Sequence, residues 1–165
     1  GYSYRSVGPA FMSGRIADIA IDSNNENVWY VAVGSGGVWK TKNAGTTWVP
    51  LTDNMPFYST GSITIDPNDS SRIWVGTGEN IAGRHVGIGH GIYLSKDSGS
   101  TWDDMGLNKS EHISKIIVHP DNSNIIWVAS QGPLWNSGGD RGLFMSTDGG
   151  NSWSNKLYVL SLIHI

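Results

Sequence analysis

The sequence has 165 residues, a formal net charge of −3 and only 15% charged residues, so it offers no basic footprint for a nucleic acid. It contains no cysteine, which excludes disulfide bonds and thiolate metal sites, and we expect neither a metal nor another cofactor. The 22 glycines and eight tryptophans are typical of tight turns and aromatic packing.

A first pair of strands, A and B, is predicted three times along the chain. In the first copy, strand A covers Ile16–Asp22 and strand B is centred on Tyr30–Ala32, eight residues after Asp22. The same offset of eight recurs from residue 66 to 74 and from residue 119 to 127. The polar and proline residues between the two strands supply the turn. The other copies of strand A are residues 62–66 and 113–119, and those of strand B are residues 74–76 and 127–129.

A third strand and a turn follow each pair, in the segments Gly37–Trp48, Gly91–Trp102 and Gly142–Trp153. They share the pattern Gly, aliphatic, aromatic, any, Ser/Thr, any, Asp/Asn, any, Gly, any, Thr/Ser, Trp. The alternation at the start predicts strand C, and Asp/Asn-x-Gly predicts a tight turn in which glycine supplies the positive φ. The tryptophan begins strand D and fills a gap between layers. These roles are structural, and the residues concerned are Asn43, Gly45, Trp48, Asp97, Gly99, Trp102, Asp148, Gly150 and Trp153.

Four antiparallel strands in a repeat of roughly 40–55 residues indicate an all-β fold, a β-propeller fragment of about three blades. Blade 1 is predicted at residues 15–60, blade 2 at 61–110 and blade 3 at 111–159. Three blades do not close a ring, so we expect further blades or domains in a longer parent chain. Residues 1–14 are predicted as an outer strand that closes the last blade. Residues 160–165 either lead into the next blade or are an artefact. A β-sandwich is the alternative fold.

The pattern Ser/Thr-x-Asp-x-Gly-x-x-Trp resembles the Asp-box, or BNR repeat, of sialidases, of xyloglucan-cleaving glycoside hydrolases and of the sortilin (Vps10) propeller. The opening residues Tyr4–Pro9 and Ser13–Arg15, followed by Gly36–Thr41, are similar to large secreted bacterial proteins of sortilin-like or glycosyl-hydrolase-like type. The resemblance covers the chain to about Trp153. It implies a secreted or cell-surface protein, although the sequence shows no signal peptide and no apolar run that would span a membrane.

Blade topology places the binding site opposite the repeated turns. The A–B and C–D turns share one face of a propeller, and the B–C and D–A loops share the other. The B–C connection takes four residues over Val33–Gly37, but 14 over Thr77–Gly91 and 12 over Ser130–Gly142. Long loops on a rigid scaffold commonly carry binding residues. We therefore predict a site on these loops, with rim contacts on the D–A loops from Asp53, Phe57, Tyr58 and Glu111.

The two long B–C loops contain side chains that suit a glycan or peptide ligand. An exposed tryptophan can stack on a pyranose ring, while amides, arginines and carboxylates bond its hydroxyl groups. The candidate binding residues are Asn80, Arg84, His85, His90, Trp135, Asn136 and Arg141. Glu79 and Asp140 are candidate catalytic carboxylates. Alternatively they are solvated side chains paired with the two arginines, and a metal on Glu79 and the two histidines is a weaker possibility.

Two departures from the enzyme families shape the functional prediction. Ser13–Ala17 has the Arg-Ile of the sialidase signature without its proline, and Gly34–Gly37 lacks the catalytic Asp that xyloglucan-cleaving propellers place ahead of the glycine pair. We therefore expect a sortilin-like propeller that binds a glycan or a peptide. Part of a sialidase-like or xyloglucanase-like glycoside hydrolase is the first alternative, and a structural spacer of a surface protein is the second.

Overall fold

The computed structural model describes residues 15–81 and 86–158, which form three four-stranded antiparallel sheets. The first sheet contains β1 (Ile16–Ile21), β2 (Trp29–Val33), β3 (Gly37–Thr41) and β4 (Val49–Pro50). The second contains β5 (Thr60–Asp66), β6 (Asp69–Thr77), β7 (Ile92–Ser95) and β8 (Asp103–Asp104). The third contains β9 (Ile113–His119), β10 (Asn122–Ser130), β11 (Gly142–Ser146) and β12 (Ser154–Tyr158).

Each sheet keeps its strands in chain order, so the prediction of three four-stranded all-β units is confirmed. The described residues include no helix, and hence none that could cross a membrane. Strand D begins one residue after its tryptophan, at Val49, Asp103 and Ser154. The predicted closing strand at residues 1–14 and the tail at residues 160–165 lie outside the described residues.

The core lies between consecutive sheets, because the middle strands are buried on both faces. Between the first and second sheets, Tyr30 and Val38 pack with Ile63 and Val75. Between the second and third sheets, the core is larger and includes Trp74. Strand β9 alternates buried and less buried residues along its length, as a strand with one covered face does. Sheet-to-sheet burial of this kind makes each sheet depend on its neighbours.

The first strands of the three sheets, β1, β5 and β9, lie side by side and are joined by hydrogen bonds. Asp18 of β1 accepts a bond from the main-chain N–H of Ile63 at 3.2 Å and from Nζ of Lys115 at 2.9 Å. Thr64 Oγ1 donates to the carbonyl of Ile116 at 2.7 Å. These polar contacts fix the three sheets relative to one another along their inner edge.

The three repeated turns (residues 41–48, 95–102 and 146–153) share one hydrogen-bond geometry. In the second, Ser95 Oγ donates to Asp97 Oδ1 at 2.8 Å and accepts from the N–H of Gly99 at 2.7 Å. Asp97 also accepts from the hydroxyl of Thr101 at 2.6 Å and from its N–H at 2.8 Å. The bonds from Thr101 lower the pKa of Asp97 to about 2, since they stabilise the carboxylate. Gly99 has φ of +94°, which is why glycine stands there.

Each repeated turn is also fastened to the A–B hairpin of its own sheet. The N–H of Ala44 donates to the carbonyl of Asn27 at 3.0 Å, and that of Ser98 donates to the carbonyl of Ser71 at 2.9 Å. The third copy repeats this bond between residues 149 and 124 at 3.1 Å. The C–D and A–B turns therefore share one face of the molecule, and the loops on the opposite face are left to form a site.

Candidate functional site

The opposite face, here called the loop face, is built from the B–C and D–A loops. Hydrogen bonds join these loops: the N–H of Gly78 donates to the carbonyl of Ser59 at 2.9 Å, and the N–H of Gly89 to that of Glu111 at 2.8 Å. The loop face is thus a connected surface rather than a set of independent loops. Its B–C loops are residues 34–36, 78–91 and 131–141, and its D–A loops are residues 51–59 and 105–112.

Glu79, a candidate catalytic carboxylate, is only 5% exposed and joins the first two sheets. Its carboxylate forms an ion pair with Arg15 and accepts a 2.6 Å bond from Ser35 Oγ. The side chain also packs against Gly34, where a Cβ atom would meet it at 3.3 Å. The hypothesis of a solvated Glu79 is therefore wrong, and its described ion-pair partner is Arg15. Arg84, the partner expected from sequence, lies outside the described residues, as does His85.

The main chain at Glu79 is held by a buried histidine, His112, which sequence reasoning missed. His112 Nδ1 lies 2.9 Å from the carbonyl oxygen of Glu79, so the nitrogen carries the proton that it donates. Burial lowers the pKa of His112, against a smaller opposing effect of the Glu111 charge, and so favours the neutral ring. The contact spans 33 residues of sequence, and no local pattern around His112 signals it.

Arg141, predicted as a ligand contact, is instead 1% exposed and fills the inside of the loop at residues 131–141. Its Nη2 donates to the carbonyl of Asn136 at 2.9 Å and also to that of Pro133. A ligand at the surface therefore cannot touch it, and the prediction for this residue is corrected. Trp135, between these two carbonyls in sequence, is 73% exposed. The structure thus hides the arginine and presents the tryptophan.

Asp140, the second candidate catalytic carboxylate, anchors the same loop to the D–A loop before it. Its Oδ2 accepts a 2.9 Å bond from the N–H of Lys109, and its carbonyl accepts a bond from Ser130 Oγ. Asp140 and Glu79 thus have separate partners: Asp140 bonds to Lys109, whereas Glu79 bonds to Arg15 and Ser35. Arg141, which was the alternative partner of Asp140, bonds main-chain carbonyls instead.

The remaining candidates differ in how accessible they are. Asn80 is half-buried, and its Nδ2 donates to the carbonyl of Gly61 at 2.7 Å. His90 and Asn136 are exposed. Within residues 15–81 and 86–158, no group of three or more His, Cys, Asp or Glu residues is arranged to hold a metal ion.

A second aromatic ring, that of Tyr58, is 67% exposed on the first D–A loop. It borders a cleft of about 240 Å³ whose walls include Asp53 and Gly36. Beneath it, Phe57 is buried against Tyr93 with ring centroids 4.5 Å apart, which fixes the loop at this point. The loop face therefore carries two exposed aromatic rings, Tyr58 on the loop between the first and second sheets and Trp135 on the B–C loop of the third sheet.

Comparisons with known proteins relate this chain to xyloglucanases. No family model matches it. The oligoxyloglucan-reducing end-specific xyloglucanase of Emericella nidulans is 24% identical over 158 residues, covering 86% of this chain and 18% of that enzyme. A xyloglucanase of a Paenibacillus species is 25% identical over 168 residues, with 93% and 15% coverage. That of Hypocrea jecorina is 31% identical over 111 residues, with 51% and 12% coverage. The chain spans less than a fifth of the length of these relatives.

Solved structures share the fold at lower identity. An ancestral GH74 enzyme superposes with a TM-score of 0.64 at 19% identity, over 86% of this chain and 18% of that one. YCF48 from Cyanidioschyzon merolae gives 0.55 at 17% identity, over 88% and 38%. YCF48 bound to a peptide gives 0.59 at 13% identity, over 89% and 42%. The predicted β-propeller fragment is confirmed, and the resemblance to glycosyl-hydrolase-like propellers holds at this coarser level.

Proposed function

We propose that this chain forms three blades of a carbohydrate-active propeller, and that its loop face binds a neutral β-glucan of the xyloglucan type. The curated relatives are xyloglucanases by name, which supports the glycoside-hydrolase-like alternative among the sequence hypotheses. The observation that carries the proposal is Trp135, whose ring is 73% exposed on the loop face. An indole has a large apolar face and one polar N–H, a combination that is enriched at binding surfaces, and its position on a long loop makes it accessible to a ligand.

The chemistry of the face favours a neutral polysaccharide. The flat faces of a pyranose ring present C–H groups that pack on an aromatic ring, and exposed Asn136 beside Trp135 offers an amide for the hydroxyls. The chain has a net charge of −3, which disfavours a polyanionic ligand. With a second exposed ring at Tyr58, the face suits an extended chain of sugars better than a single unit.

We assign this part of the propeller a binding role rather than a catalytic one. Hydrolysis of a glycosidic bond requires two carboxylates about 5–5.5 Å apart for retention or about 6.5–9.5 Å apart for inversion. Glu79 and Asp140 are each committed to other contacts, so we place the catalytic carboxylates of the whole protein outside the described residues. From the repeated sequence pattern and the similarity to xyloglucanases, we also propose that the repeated turns are Asp-boxes and that the blades meet near residues 60–61 and 110–111. We propose on the same similarity that the protein is secreted or displayed at the cell surface.

Affinity electrophoresis of the full-length protein in gels containing different polymers tests the proposed ligand class. We expect retardation by xyloglucan and related β-glucans. We expect none by polygalacturonate, because it is a polyanion and the proposed ligand is neutral. Binding to a peptide array with no retardation by any neutral glucan would contradict the proposal and favour the sortilin-like hypothesis.

A further inference from the structure

The loop at residues 131–141, here called the tryptophan loop, encloses a buried cation that has no carboxylate partner among the described residues. The ion pairs of the described chain involve Arg15, Arg72, Lys96 and Lys115, but not Arg141. Nε and Nη1 of Arg141 are buried without a hydrogen-bond partner among the described residues. Burying a guanidinium in this way is unfavourable for stability, so its place in the loop calls for another explanation.

The two carbonyls that Arg141 does engage belong to Pro133 and Asn136, which lie on either side of Trp135. Both accept from the same nitrogen, Nη2, at the end of a planar and rigid group. The main chain is therefore held at two points, one before and one after the exposed ring. A charge-assisted bond at each point is stronger than one between neutral groups.

The tryptophan loop closes tightly around the guanidinium because glycines stand where side chains would collide. At Gly132, which has φ of +64°, a Cβ atom would meet Cβ of Arg141 at 3.0 Å and its Nε at 3.3 Å. At Gly139, with φ of +70°, a Cβ atom would meet Cδ of Pro133 at 2.6 Å. The base of the loop is fixed separately by the bond from the N–H of Lys109 to Asp140.

The outer part of this loop has little apolar packing to order it. Trp135, Asn136 and Ser137 are all exposed, so burial of their side chains does not hold the tip in place. Its described hydrogen bonds are those that Arg141 donates to the carbonyls of Pro133 and Asn136. Ordering a loop before binding reduces the conformational entropy lost when a ligand is bound.

We propose that Arg141 is a positioning residue that holds the main chain on both sides of Trp135, and thereby presents the indole ring to a glycan. It acts through the loop and does not touch the ligand. This role rests on the proposed function for its benefit to binding, but the geometry of the loop can be tested without any ligand.

The test uses the full-length protein labelled with 5-fluorotryptophan, in which the ¹⁹F resonance of Trp135 is assigned from its disappearance in Trp135→Phe. In Arg141→Met we expect this resonance to shift and broaden, while those of buried tryptophans such as Trp74 stay in place. We also expect the midpoint of thermal unfolding to stay within a few degrees, since a buried unpaired charge has been removed. Xyloglucan affinity should fall at least fivefold.

Arg141→Lys is the conservative variant, because an ammonium can still donate to both carbonyls. We expect it to restore a sharp Trp135 resonance and part of the affinity. Gly132→Ala retains the charge but displaces the side chain, and it should perturb Trp135 as Arg141→Met does.

An unchanged Trp135 resonance in Arg141→Met would overturn the proposal. Loss of the whole fold in both Arg141 variants would also overturn it, since Arg141 would then be a residue of general stability. If the resonance changes as expected but the wild-type protein binds no glycan, the positioning role stands and the proposed function fails.

Discussion

The indole N–H of Trp153 donates a 2.7 Å hydrogen bond to the carbonyl of Met105, which belongs to the neighbouring blade. Trp102 makes the corresponding bond to the carbonyl of Leu51 at 3.3 Å. In both cases the acceptor lies three residues after the tryptophan of the preceding repeated turn, since Leu51 follows Trp48 and Met105 follows Trp102. The repeated turn therefore has two structural roles. Its Asp or Asn closes the turn, and its tryptophan bonds the blade to the preceding one.

Trp153→Phe tests this inter-blade bond. The substitution keeps an aromatic ring but leaves the carbonyl of Met105 without its donor, which costs about 1–2 kcal/mol in the free energy of unfolding. The measurement is urea unfolding followed by near-ultraviolet circular dichroism. The matched control is Trp135→Phe, which should change the free energy of unfolding by no more than about 0.5 kcal/mol because the ring is exposed. Equal effects in the two variants would show that the bond to Met105 contributes nothing.

The repeated turns also predict how stability depends on acid. Hydrogen bonds from Thr101 and Ser152 lower the pKa values of Asp97 and Asp148 from 3.8 to about 2. Because the folded values are depressed, the stability that these carboxylates contribute is present above 3.8 and is lost as the pH falls through about 2. The midpoint of thermal unfolding should decline over this window.

The double variant Asp97→Asn with Asp148→Asn should flatten that decline without preventing folding. Asn43 already occupies this position in the first repeated turn, where its Oδ1 accepts from Thr41 Oγ1 and from the N–H of Thr47, both at 2.9 Å. An amide therefore closes the turn. A pH dependence as steep as that of the unsubstituted protein would show that other groups cause it.

A double-mutant cycle on Arg15 and Glu79 tests whether their ion pair ties the first two blades together. With Arg15→Met and Glu79→Gln, we expect a coupling energy of about 1 kcal/mol in the free energy of unfolding, because Glu79 is buried but Arg15 is partly in solvent. If Glu79 were catalytic, Glu79→Gln would instead abolish turnover of the full-length protein and leave its stability unchanged. That outcome would contradict the structural role.

Gly78→Ala tests how closely the loops of the loop face approach one another. Gly78 has φ of +79°, and a Cβ atom there would meet the carbonyl oxygen of Glu111 at 1.8 Å, so we expect a loss of at least about 3 kcal/mol in the free energy of unfolding. Gly138→Ala is the matched control. It has φ of +87° with no atom within 4 Å, and it should cost only about 1 kcal/mol, from backbone strain alone. Chemical denaturation of both variants gives the comparison.

The strands and turns could be predicted because their causes are local. Alternating apolar residues specify each strand, and the Asp-x-Gly spacing specifies each turn whatever surrounds it. The length of the B–C connections also located the loop face. The predicted start of strand D was one residue early, because Trp48, Trp102 and Trp153 pack against the core clusters and strand pairing begins at the next residue.

Burial in the loops could not be predicted, because it depends on contacts distant in sequence. Glu79 meets Arg15 across 64 residues, and the loop sequence contains the same types of side chain whether they are buried or solvated. Arg141 was predicted as a ligand contact because arginine in a polar, glycine-rich loop usually lies in solvent. Gly132 and Gly139 were the available signal that this loop closes tightly on something inside it.

Calorimetric titration of the full-length protein with a xyloglucan oligosaccharide tests the central proposal most directly. We predict that Trp135→Ala weakens binding at least tenfold, about 1.4 kcal/mol, and that Trp135→Phe weakens it less because a ring remains. Val49→Ala, which removes another exposed apolar side chain at β4, should leave the affinity unchanged. Equal affinity of the unsubstituted protein and Trp135→Ala would contradict the assignment of the loop face as a glycan-binding surface.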